Sequence, residues 1–263
     1  MTTLHGKKVF ITGASSGIGA STALKVAAQG ALPVLLARRY DQLKNIALNI
    51  EEQTGVQSLF YSVDVSDEGQ VKHVFEKIEK EIGFCDILVN NAGFGVFEHV
   101  KDSSLENIRS MFEVNVFGLI ACTQAVLPHM LEANRGHIIN VVSQAGKLAT
   151  PKSSGYAASK HAALGFTNSL RLELSDTNIN VSTVNFGPVD TNFFSHADPS
   201  GSYVKNVKRW MLTSEQASEA IVRVMMKQNR EVNLPRWMGI GAKLYQLAPH
   251  LFEKVAGNAF KMK

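Results

Sequence analysis

Short apolar or β-branched runs alternate with longer amphipathic stretches along most of the chain. The runs are short enough for strands and end at glycine or polar residues, whereas the stretches between them repeat apolar residues at helical spacing. The pattern predicts strands at residues 8–12, 33–37, 58–63, 86–89, 137–142, 180–184 and 231–234. It predicts helices over residues 18–29, 41–53, 67–81, 156–174 and 214–226, and a helical region over 105–131 that contains an interruption.

This alternation of strands and helices predicts an α/β fold. The expected architecture is a Rossmann-type, doubly wound parallel sheet of about seven strands with helices on both faces. No repeat, low-complexity linker or change in composition divides the sequence, so residues 1–263 are expected to form a single domain. Because ligands of such sheets bind at the carboxyl ends of the strands, residues that follow a strand are the first candidates for chemistry.

Composition and charge argue against several classes of protein. The formal net charge of +4 comes from scattered lysines and arginines, which argues against a nucleic-acid surface but suits an anionic cofactor. Cys85 and Cys122 have no cysteine or histidine partner at metal-ligand spacing, so we expect buried packing residues rather than a disulfide or a metal site. The N-terminus lacks the long apolar segment of a secretory signal, and a cytoplasmic location is expected.

A glycine-rich turn, T-G-A-S-S-G-I-G, follows the first predicted strand. Small residues here let backbone N–H groups approach a phosphate at the start of a helix, where the helix dipole favours negative charge. The alternative is a tight turn that needs glycine only for its backbone angles. The position after the first strand favours a dinucleotide site, and the missing G-K-[ST] argues against an ATP-binding P-loop. The candidate binding residues are Gly13, Ser15, Ser16, Gly17, Ile18 and Gly19.

The second strand ends in L-L-A-R-R-Y, which bears on the choice between NADP and NAD. NAD sites usually place an acidic residue here to bind the ribose 2′-hydroxyl, whereas this chain has Arg38 and Arg39. Arginine binds a 2′-phosphate that a carboxylate would repel, so the pattern favours NADP (NADPH) and leaves NAD as the alternative. Two solvated arginines at a strand end are the other interpretation. Asp64 and Val65, after the third strand, are expected beside the adenine ring.

Tyr156 and Lys160 occur in the stretch Y-A-A-S-K and would lie one turn apart on the same face of a helix. Alone, this spacing is too frequent in helices to indicate chemistry. Three more short motifs precede it: N-N-A-G at residues 90–93, V-N-V-F-G around Asn115, and V-V-S at residues 141–143. Together with the glycine turn, and in this order, the motifs resemble the short-chain dehydrogenase/reductase superfamily in its compact single-domain form, over residues 5–235.

The resemblance implies a role for each matching residue. Tyr156 would be the catalytic acid/base, Lys160 would support it and hold the nicotinamide ribose, and Ser143 would orient the substrate carbonyl. Asn115 would hold a water in a proton relay. Taken alone, Ser143 is better explained as a strand-end cap and Asn115 as a helix-kink residue. The family's other cofactor contacts would fall on Asn90, Asn91, Ala92, Gly93, Gly187, Val189 and Thr191.

Proton transfer explains why these residue types belong together. Hydride transfer to a ketone leaves an alkoxide that must gain a proton, and a free tyrosine has a pKa of about 10. A neighbouring Lys160 ammonium is expected to favour the tyrosinate and so to lower the pKa of Tyr156. Ser143 can donate a hydrogen bond to the developing oxyanion.

Two positions depart from the family pattern. Phe186 replaces the proline that is usual before Gly187, and we expect its side chain to pack rather than to reshape the nicotinamide pocket. Ser16 is found where many NADP-preferring members carry a basic residue, so the NADP prediction rests mainly on Arg38.

Residues 192–212 form the variable segment that is expected to act as a substrate lid. The lid residues available to line a pocket are Phe193, Phe194, Tyr203 and Trp210, and those of the opposite wall are Phe94, Val96, Gln144 and Ala145. Aromatic residues in a lid equally form its own core, but this composition suggests an apolar carbonyl or alcohol substrate.

A C-terminal extension over residues 235–263 is longer than the minimal family core needs. Leu244, Leu251, Val255 and Ala259 recur at helical spacing, and Pro249 is expected to start a second helix. We favour docking of the extension on its own subunit or on a neighbouring subunit of a homodimer or homotetramer. The alternative is contact with a membrane surface, which the charge of the extension does not favour.

The sequence therefore predicts an NADPH-dependent reductase of a ketone or aldehyde that can also run as an alcohol dehydrogenase. An NAD-linked hydroxy-compound dehydrogenase is the alternative enzyme. A cofactor-sensing binding protein without turnover is the alternative outside enzymes, and it would be expected to lack Tyr156, Lys160 or Ser143, which are all present. Neither a metal nor a nucleic acid is expected to take part.

Overall fold

A seven-stranded parallel sheet forms the centre of the protein, in a computed structural model that describes the backbone of residues 3–260 and the side chains of residues 3–255. The strands are β1 Lys8–Thr12, β2 Leu32–Ala37, β3 Leu59–Ser62, β4 Ile87–Asn90, β5 Gly136–Val141, β6 Ile179–Phe186 and β7 Glu231–Leu234. Their spatial order is β3-β2-β1-β4-β5-β6-β7, and every neighbouring pair is parallel. The predicted Rossmann-type α/β fold is confirmed.

Helices cover both faces of the sheet. They are α1 Gly17–Ala27, α2 Tyr40–Thr54, α3 Glu68–Ile82, α4 Leu105–Phe112, α5 Leu119–Glu132, α6 Ser154–Glu173, α7 Phe193–Ala197, α8 Ser202–Val207, α9 Ser214–Lys227, α10 Arg236–Leu247 and α11 Pro249–Phe260. One core joins α1, α2 and α9 to the sheet and includes Val26, Leu43 and Ile221. The other joins α3, α5 and α6 to it. Because both faces are covered, the strands are apolar on both sides and appear in the sequence as continuous apolar runs.

The observed elements differ from the predicted ones mainly at their ends. The sixth strand is longer than predicted and includes Phe186. The interruption predicted within residues 105–131 is a π-helical turn, Glu113–Gly118, between α4 and α5. The lid contains two short helices, α7 and α8, that the sequence pattern did not reveal, because helices of five and six residues are too short to show a helical period.

The stretch Leu105–Glu132 is long and apolar enough to cross a membrane, judged by length and composition alone. In this fold the stretch packs within the protein, and 44% of its most apolar 18-residue part is buried. Its C-terminal half, α5, packs between α3 and the sheet through Cys122, Val126 and Met130. We interpret the stretch as a core helix.

The C-terminal extension forms two helices after β7. As predicted, α11 begins at Pro249. It follows directly on Ala248, which caps the end of α10. Residues 261–263, with Lys261 and Lys263, and the side chain of Ala259 lie outside the described residues.

The centre of the sheet contains the crevice expected of a doubly wound fold. β1 and β4 are neighbours although β2 and β3 lie between them in sequence, so the direction of winding reverses at this point. The glycine turn follows β1 and residues 90–93 follow β4, and a Cβ added to Gly13 would lie 2.9 Å from the Ala92 Cα atom. The fold thus places two of the sequence motifs against each other.

Candidate active site

The glycine turn fits closely against the chain that follows β4. Gly13 has a φ of +65°, and a Cβ on Gly19 would lie only 2.4 Å from the Gly13 carbonyl oxygen. The Asn91 side-chain amide donates to the carbonyl oxygens of Thr12 at 3.0 Å and Gly13 at 3.3 Å, and so fixes the turn. Glycine is therefore required at these positions by close approach as well as by backbone angle.

The start of α1 has the features of a phosphate-binding cradle. α1 begins at Gly17, and the hydroxyl of the preceding Ser16 does not cap the helix, so its first N–H groups face the turn. Gly17 has a φ of +55°, and a Cβ there would lie 3.2 Å from a methyl group of Thr191. Exposed amides and the helix dipole suit an anionic group at this point. The residues present therefore fit the pyrophosphate of a dinucleotide.

The two arginines at the end of β2 have different partners. The Arg39 guanidinium donates to the hydroxyls of Ser15 at 2.9 Å and Ser16 at 3.0 Å, and so lies over the glycine turn. Arg38 is 74% exposed and pairs with Asp64, with 3.6 Å between its nitrogen and the carboxylate oxygen. The structure therefore gives Arg39 the closer relation to the turn, although the sequence pattern directed attention to Arg38.

Ser143, Tyr156 and Lys160 meet beside this crevice. Ser143 follows β5, and its hydroxyl donates to the Phe186 carbonyl at 3.3 Å. Lys160, on α6, donates to the Val141 carbonyl at 3.3 Å, and its nitrogen lies 5.9 Å from the centre of the Tyr156 ring. The side chains of Tyr156 and Lys160 are both buried.

Burial controls the ionisation of both groups on α6. It raises the pKa of Tyr156 to about 12, and a side-chain hydrogen bond with Ser143 acts in the opposite direction. Burial lowers the pKa of Lys160 to about 8. The expected net lowering of the pKa of Tyr156 is therefore not found in the protein alone: desolvation dominates and raises this pKa, while the Lys160 ammonium is directed at the Val141 carbonyl.

Asn115 lies in the π-helical turn between α4 and α5 and is buried. Its amide donates to the Phe94 carbonyl at 2.9 Å and to the Ser159 hydroxyl at 3.0 Å, while its oxygen accepts from the Phe94 N–H at 3.0 Å. A Cβ on Gly93 would lie 2.9 Å from the Asn115 oxygen and 3.3 Å from the Lys160 nitrogen. Asn115 thus connects the loop after β4 with α6, and Ser159 is a partner that sequence reasoning missed.

Replacing Asn115 with alanine is expected to lower both stability and turnover. The Phe94 N–H and carbonyl groups would lose their partner, which costs about 2 kcal/mol of unfolding free energy. The proton-relay role that the family resemblance implies for Asn115 would add a fall in kcat of about a hundredfold. Asn140→Ala is the matched control. The Asn140 side chain is also buried, but it bonds to Asn90 and Thr167 rather than to Phe94. Equal kcat in the two variants at similar stability would contradict a role in proton transfer.

The lid places an aromatic cluster over Tyr156. Phe97, which sequence reasoning missed, lies at its centre, with ring centroids 5.9 Å from Tyr156 and 5.4 Å from Tyr203. The rings of Tyr156 and Phe193 are 5.7 Å apart, and Phe194 contacts Phe193, Phe97 and Tyr203. The predicted pocket-lining aromatics therefore also form the core of the lid. Trp210 lies outside the cluster and contacts Trp237 on α10.

The segment after β6 joins the site to the C-terminal extension. Phe186 is buried in the core, which confirms that it packs. A Cβ on Gly187 would lie 2.6 Å from the Met238 sulfur, so α10 lies directly against this segment. Val189 forms a bridge with Leu212 at the end of the lid.

Gln144 was expected on the wall of the substrate pocket, but it belongs to a buried hydrogen-bond network. Its amide donates to the Asn185 carbonyl at 2.9 Å and to the Asn233 side-chain oxygen at 3.1 Å. It is a buried residue that ties the end of β5 to β6 and β7 rather than an open part of a pocket wall. The sequence carried no sign of this network because its members are far apart along the chain.

Known proteins are similar to this chain in sequence and in fold. The model of the short chain dehydrogenase family matches residues 7–200. An NADP-dependent 3-hydroxy acid dehydrogenase of Schizosaccharomyces pombe is 36% identical over 239 residues, which cover 88% of this chain and 92% of that protein.

Solved structures agree with this relationship. L-Sorbose reductase from Gluconobacter frateurii, complexed with NADPH and L-sorbose, is 27% identical with a TM-score of 0.79, covering 88% of this chain and 95% of that one. A short chain dehydrogenase/reductase from Burkholderia phymatum in complex with NAD shares the fold, with a TM-score of 0.87 at 24% identity over 95% and 96% of the two chains. The Schizosaccharomyces pombe relative is named as NADP-dependent and the sorbose reductase structure contains NADPH, the cofactor type expected for this chain. The chain is an oxidoreductase that belongs to the short-chain dehydrogenase family.

Proposed function

We propose that this protein is an NADPH-dependent reductase of a ketone or aldehyde, and that it oxidises the corresponding alcohol in the reverse direction. The observation that carries the proposal is the meeting of Ser143, Tyr156 and Lys160 at the edge of a crevice lined by the glycine turn. This arrangement combines a dinucleotide cradle with a buried proton donor and a hydroxyl that can orient a carbonyl.

In the proposed reaction the side chains act on the carbonyl oxygen of the substrate and on the proton that it receives. A bound reduced nicotinamide would supply the hydride to the carbonyl carbon. The Tyr156 phenol gives its proton to the resulting alkoxide oxygen, and its raised pKa of about 12 keeps it protonated for this step at neutral pH. Ser143 donates a hydrogen bond to the same oxygen. The Lys160 ammonium stabilises the tyrosinate that remains, and Asn115 positions the path by which the phenol regains a proton.

The preference for NADP is supported by positive charge beside the glycine turn. Arg39 already bonds to two hydroxyls of the turn, and the exposed Arg38 lies on the same edge. A guanidinium can bind a phosphate with two parallel hydrogen bonds. The 3-hydroxy acid dehydrogenase of Schizosaccharomyces pombe is also named as NADP-dependent. We therefore propose that both arginines bind the 2′-phosphate.

Arg38→Ala and Arg39→Ala are each expected to raise the Kd for NADPH by about tenfold, because each removes a charge-assisted bond to the 2′-phosphate. The Kd for NADH should change by less than about twofold, since NADH lacks that phosphate. Direct titration of cofactor binding with both nucleotides provides the comparison. An equal loss of affinity for NADPH and NADH would contradict the assignment.

The substrate is proposed to be an apolar carbonyl compound. The aromatic cluster of Phe97, Phe193 and Tyr203 encloses Tyr156, and such surfaces bind apolar groups through contact area. A panel of ketones and aldehydes of increasing apolar size, assayed by oxidation of NADPH, tests this. The expected result is a kcat/KM that rises with apolar size, and a preference for small polar or charged carbonyls would overturn it.

We further propose that the protein acts in the cytoplasm as a homodimer or homotetramer. Phe117 in the π-helical turn, Leu131 on α5 and Leu172 on α6 are large apolar side chains that are 55%, 45% and 70% exposed. A second copy of the chain would remove such a surface from water. Measurement of mass in solution tests the assembly.

A further inference from the structure

The C-terminal helices present an exposed apolar face. On α10, Trp237, Ile240, Leu244 and Leu247 follow one another at helical spacing and are 54%, 61%, 53% and 83% exposed. On α11, Leu251 and Val255 are 65% and 80% exposed. We call these six side chains the tail face. Six large apolar side chains with this exposure on two consecutive helices are unusual for a soluble monomer, so we expect a partner to cover them.

The tail face lies in a positively charged segment, although the charge of the extension was expected to be too low to favour a membrane surface. Residues 236–263 contain five lysines or arginines and one glutamate, so this segment carries the whole formal net charge of +4. Over residues 1–235 the 22 basic and 22 acidic side chains balance. Arg236 and Lys243 are exposed and lie one turn before Ile240 and Leu247, at the edge of the apolar stripe. An apolar stripe bordered by basic residues is typical of helices that lie on a lipid surface.

Both tryptophans of the protein lie at this edge. The chain contains two tryptophans, and the rings of Trp210 and Trp237 are 6.3 Å apart. The Arg209 guanidinium lies 4.1 Å from the centre of the Trp210 ring. Tryptophan is enriched where a protein meets the boundary between lipid and water, because its ring is apolar and its N–H is polar.

We propose that the tail face docks on the surface of an anionic lipid bilayer. The apolar stripe would enter the boundary between head groups and acyl chains, and the basic residues would contact acidic head groups. A second copy of this chain is the less suitable partner, because a two-fold interface places each patch on itself and would bring two positively charged segments together. The opposite side of α10 is occupied, since Met238 packs against Gly187 and Gly239 against Asn233.

Vesicle binding by the full-length protein tests the proposal. Vesicles of phosphatidylcholine alone are compared with vesicles of phosphatidylcholine mixed with phosphatidylglycerol, by co-sedimentation and by tryptophan emission. Because Trp237 belongs to the tail face and Trp210 contacts it, tryptophan emission reports on this region directly. The test variant is Leu244→Glu with Leu247→Glu. The matched control is Leu48→Glu, which alters a leucine that is 55% exposed on α2.

The wild-type protein is expected to bind the anionic vesicles, with a blue shift of tryptophan emission and loss of binding at high salt. The double variant should bind at least about tenfold more weakly, whereas Leu48→Glu should bind as the wild type does. Lys243→Glu with Lys254→Glu offers a second test that leaves the apolar residues in place, and it should also weaken binding. Absence of binding by the wild type, or equal binding by the double variant, would overturn the proposal. A smaller assembly for the double variant, without lipid binding by the wild type, would instead identify a second copy as the partner.

Discussion

Replacing Tyr156 with phenylalanine is expected to lower kcat by about a thousandfold and to leave the Kd for NADPH unchanged. The variant keeps the ring that packs against Phe97 and Phe193 but loses the proton that the alkoxide oxygen must receive. The relevant measurements are steady-state turnover and cofactor titration on the same preparation.

The control for this prediction removes a second hydroxyl from the same aromatic cluster. Tyr203 is half-buried in the lid, and its ring lies 5.4 Å from that of Phe97. Tyr203→Phe should therefore retain kcat to within about tenfold, because it does not supply the proton. Turnover by Tyr156→Phe near that of the wild type would remove Tyr156 from the proposed mechanism.

Replacing Lys160 with methionine is expected to lower kcat by about a hundredfold or more and also to weaken cofactor binding. The substitution removes the charge that stabilises the tyrosinate, while the methionine retains most of the packing volume. Unlike Tyr156→Phe, it should raise the Kd for NADPH, because Lys160 is expected to hold the nicotinamide ribose. A variant that loses turnover with an unchanged Kd would contradict that second role.

The same substitution should change how stability depends on pH. The pKa of Lys160 is lowered from 10.5 to about 8 by burial, so between these values the unfolded chain binds more protons at this group than the folded chain does. Stability therefore rises with pH across this window, by on the order of 3 kcal/mol, relative to a chain without the group. The free energy of unfolding of the wild type and of Lys160→Met is compared at pH 8 and pH 10.5.

Lys147→Met provides the control for the pH effect. Its side chain is only 9% exposed, but it forms an ion pair with Glu231. Removing it should destabilise the protein without changing the rise in stability between pH 8 and pH 10.5 that Lys160 causes. If Lys160→Met showed the same rise as the wild type, the account of Lys160 as a buried, destabilised ammonium would fail.

The fold was predictable because the sequence repeats one physical pattern. The five inner strands are mostly buried on both faces and read as apolar runs, whereas the helices between them repeat apolar residues at helical spacing, so strands and helices can be distinguished by period. The glycine turn and the Y-A-A-S-K stretch were recognisable for a related reason. The close approach of Gly19 to the Gly13 carbonyl, and the helical spacing between Tyr156 and Lys160, act over short distances along the chain.

What the sequence could not supply was the set of contacts between distant segments. Phe97 joins the lid to Tyr156, and Gln144 bonds to Asn233, which is far away in sequence. The pKa of Tyr156 rises in the protein alone instead of falling because burial, the dominant cause of the shift, is a property of the packed structure. The exposure of Leu247 likewise depends on which side of α10 faces the protein. Periodicity identified that helix but not its buried side.

The most direct test of the central claim is oxidation of NADPH by the purified protein in the presence of a panel of apolar ketones and aldehydes. We predict loss of nicotinamide absorbance that depends on the carbonyl compound, yields the alcohol in equal amount, and falls by about a thousandfold in Tyr156→Phe. Turnover that persists in Tyr156→Phe, or NADPH binding without oxidation across the whole panel, would contradict the claim that this protein is a carbonyl reductase.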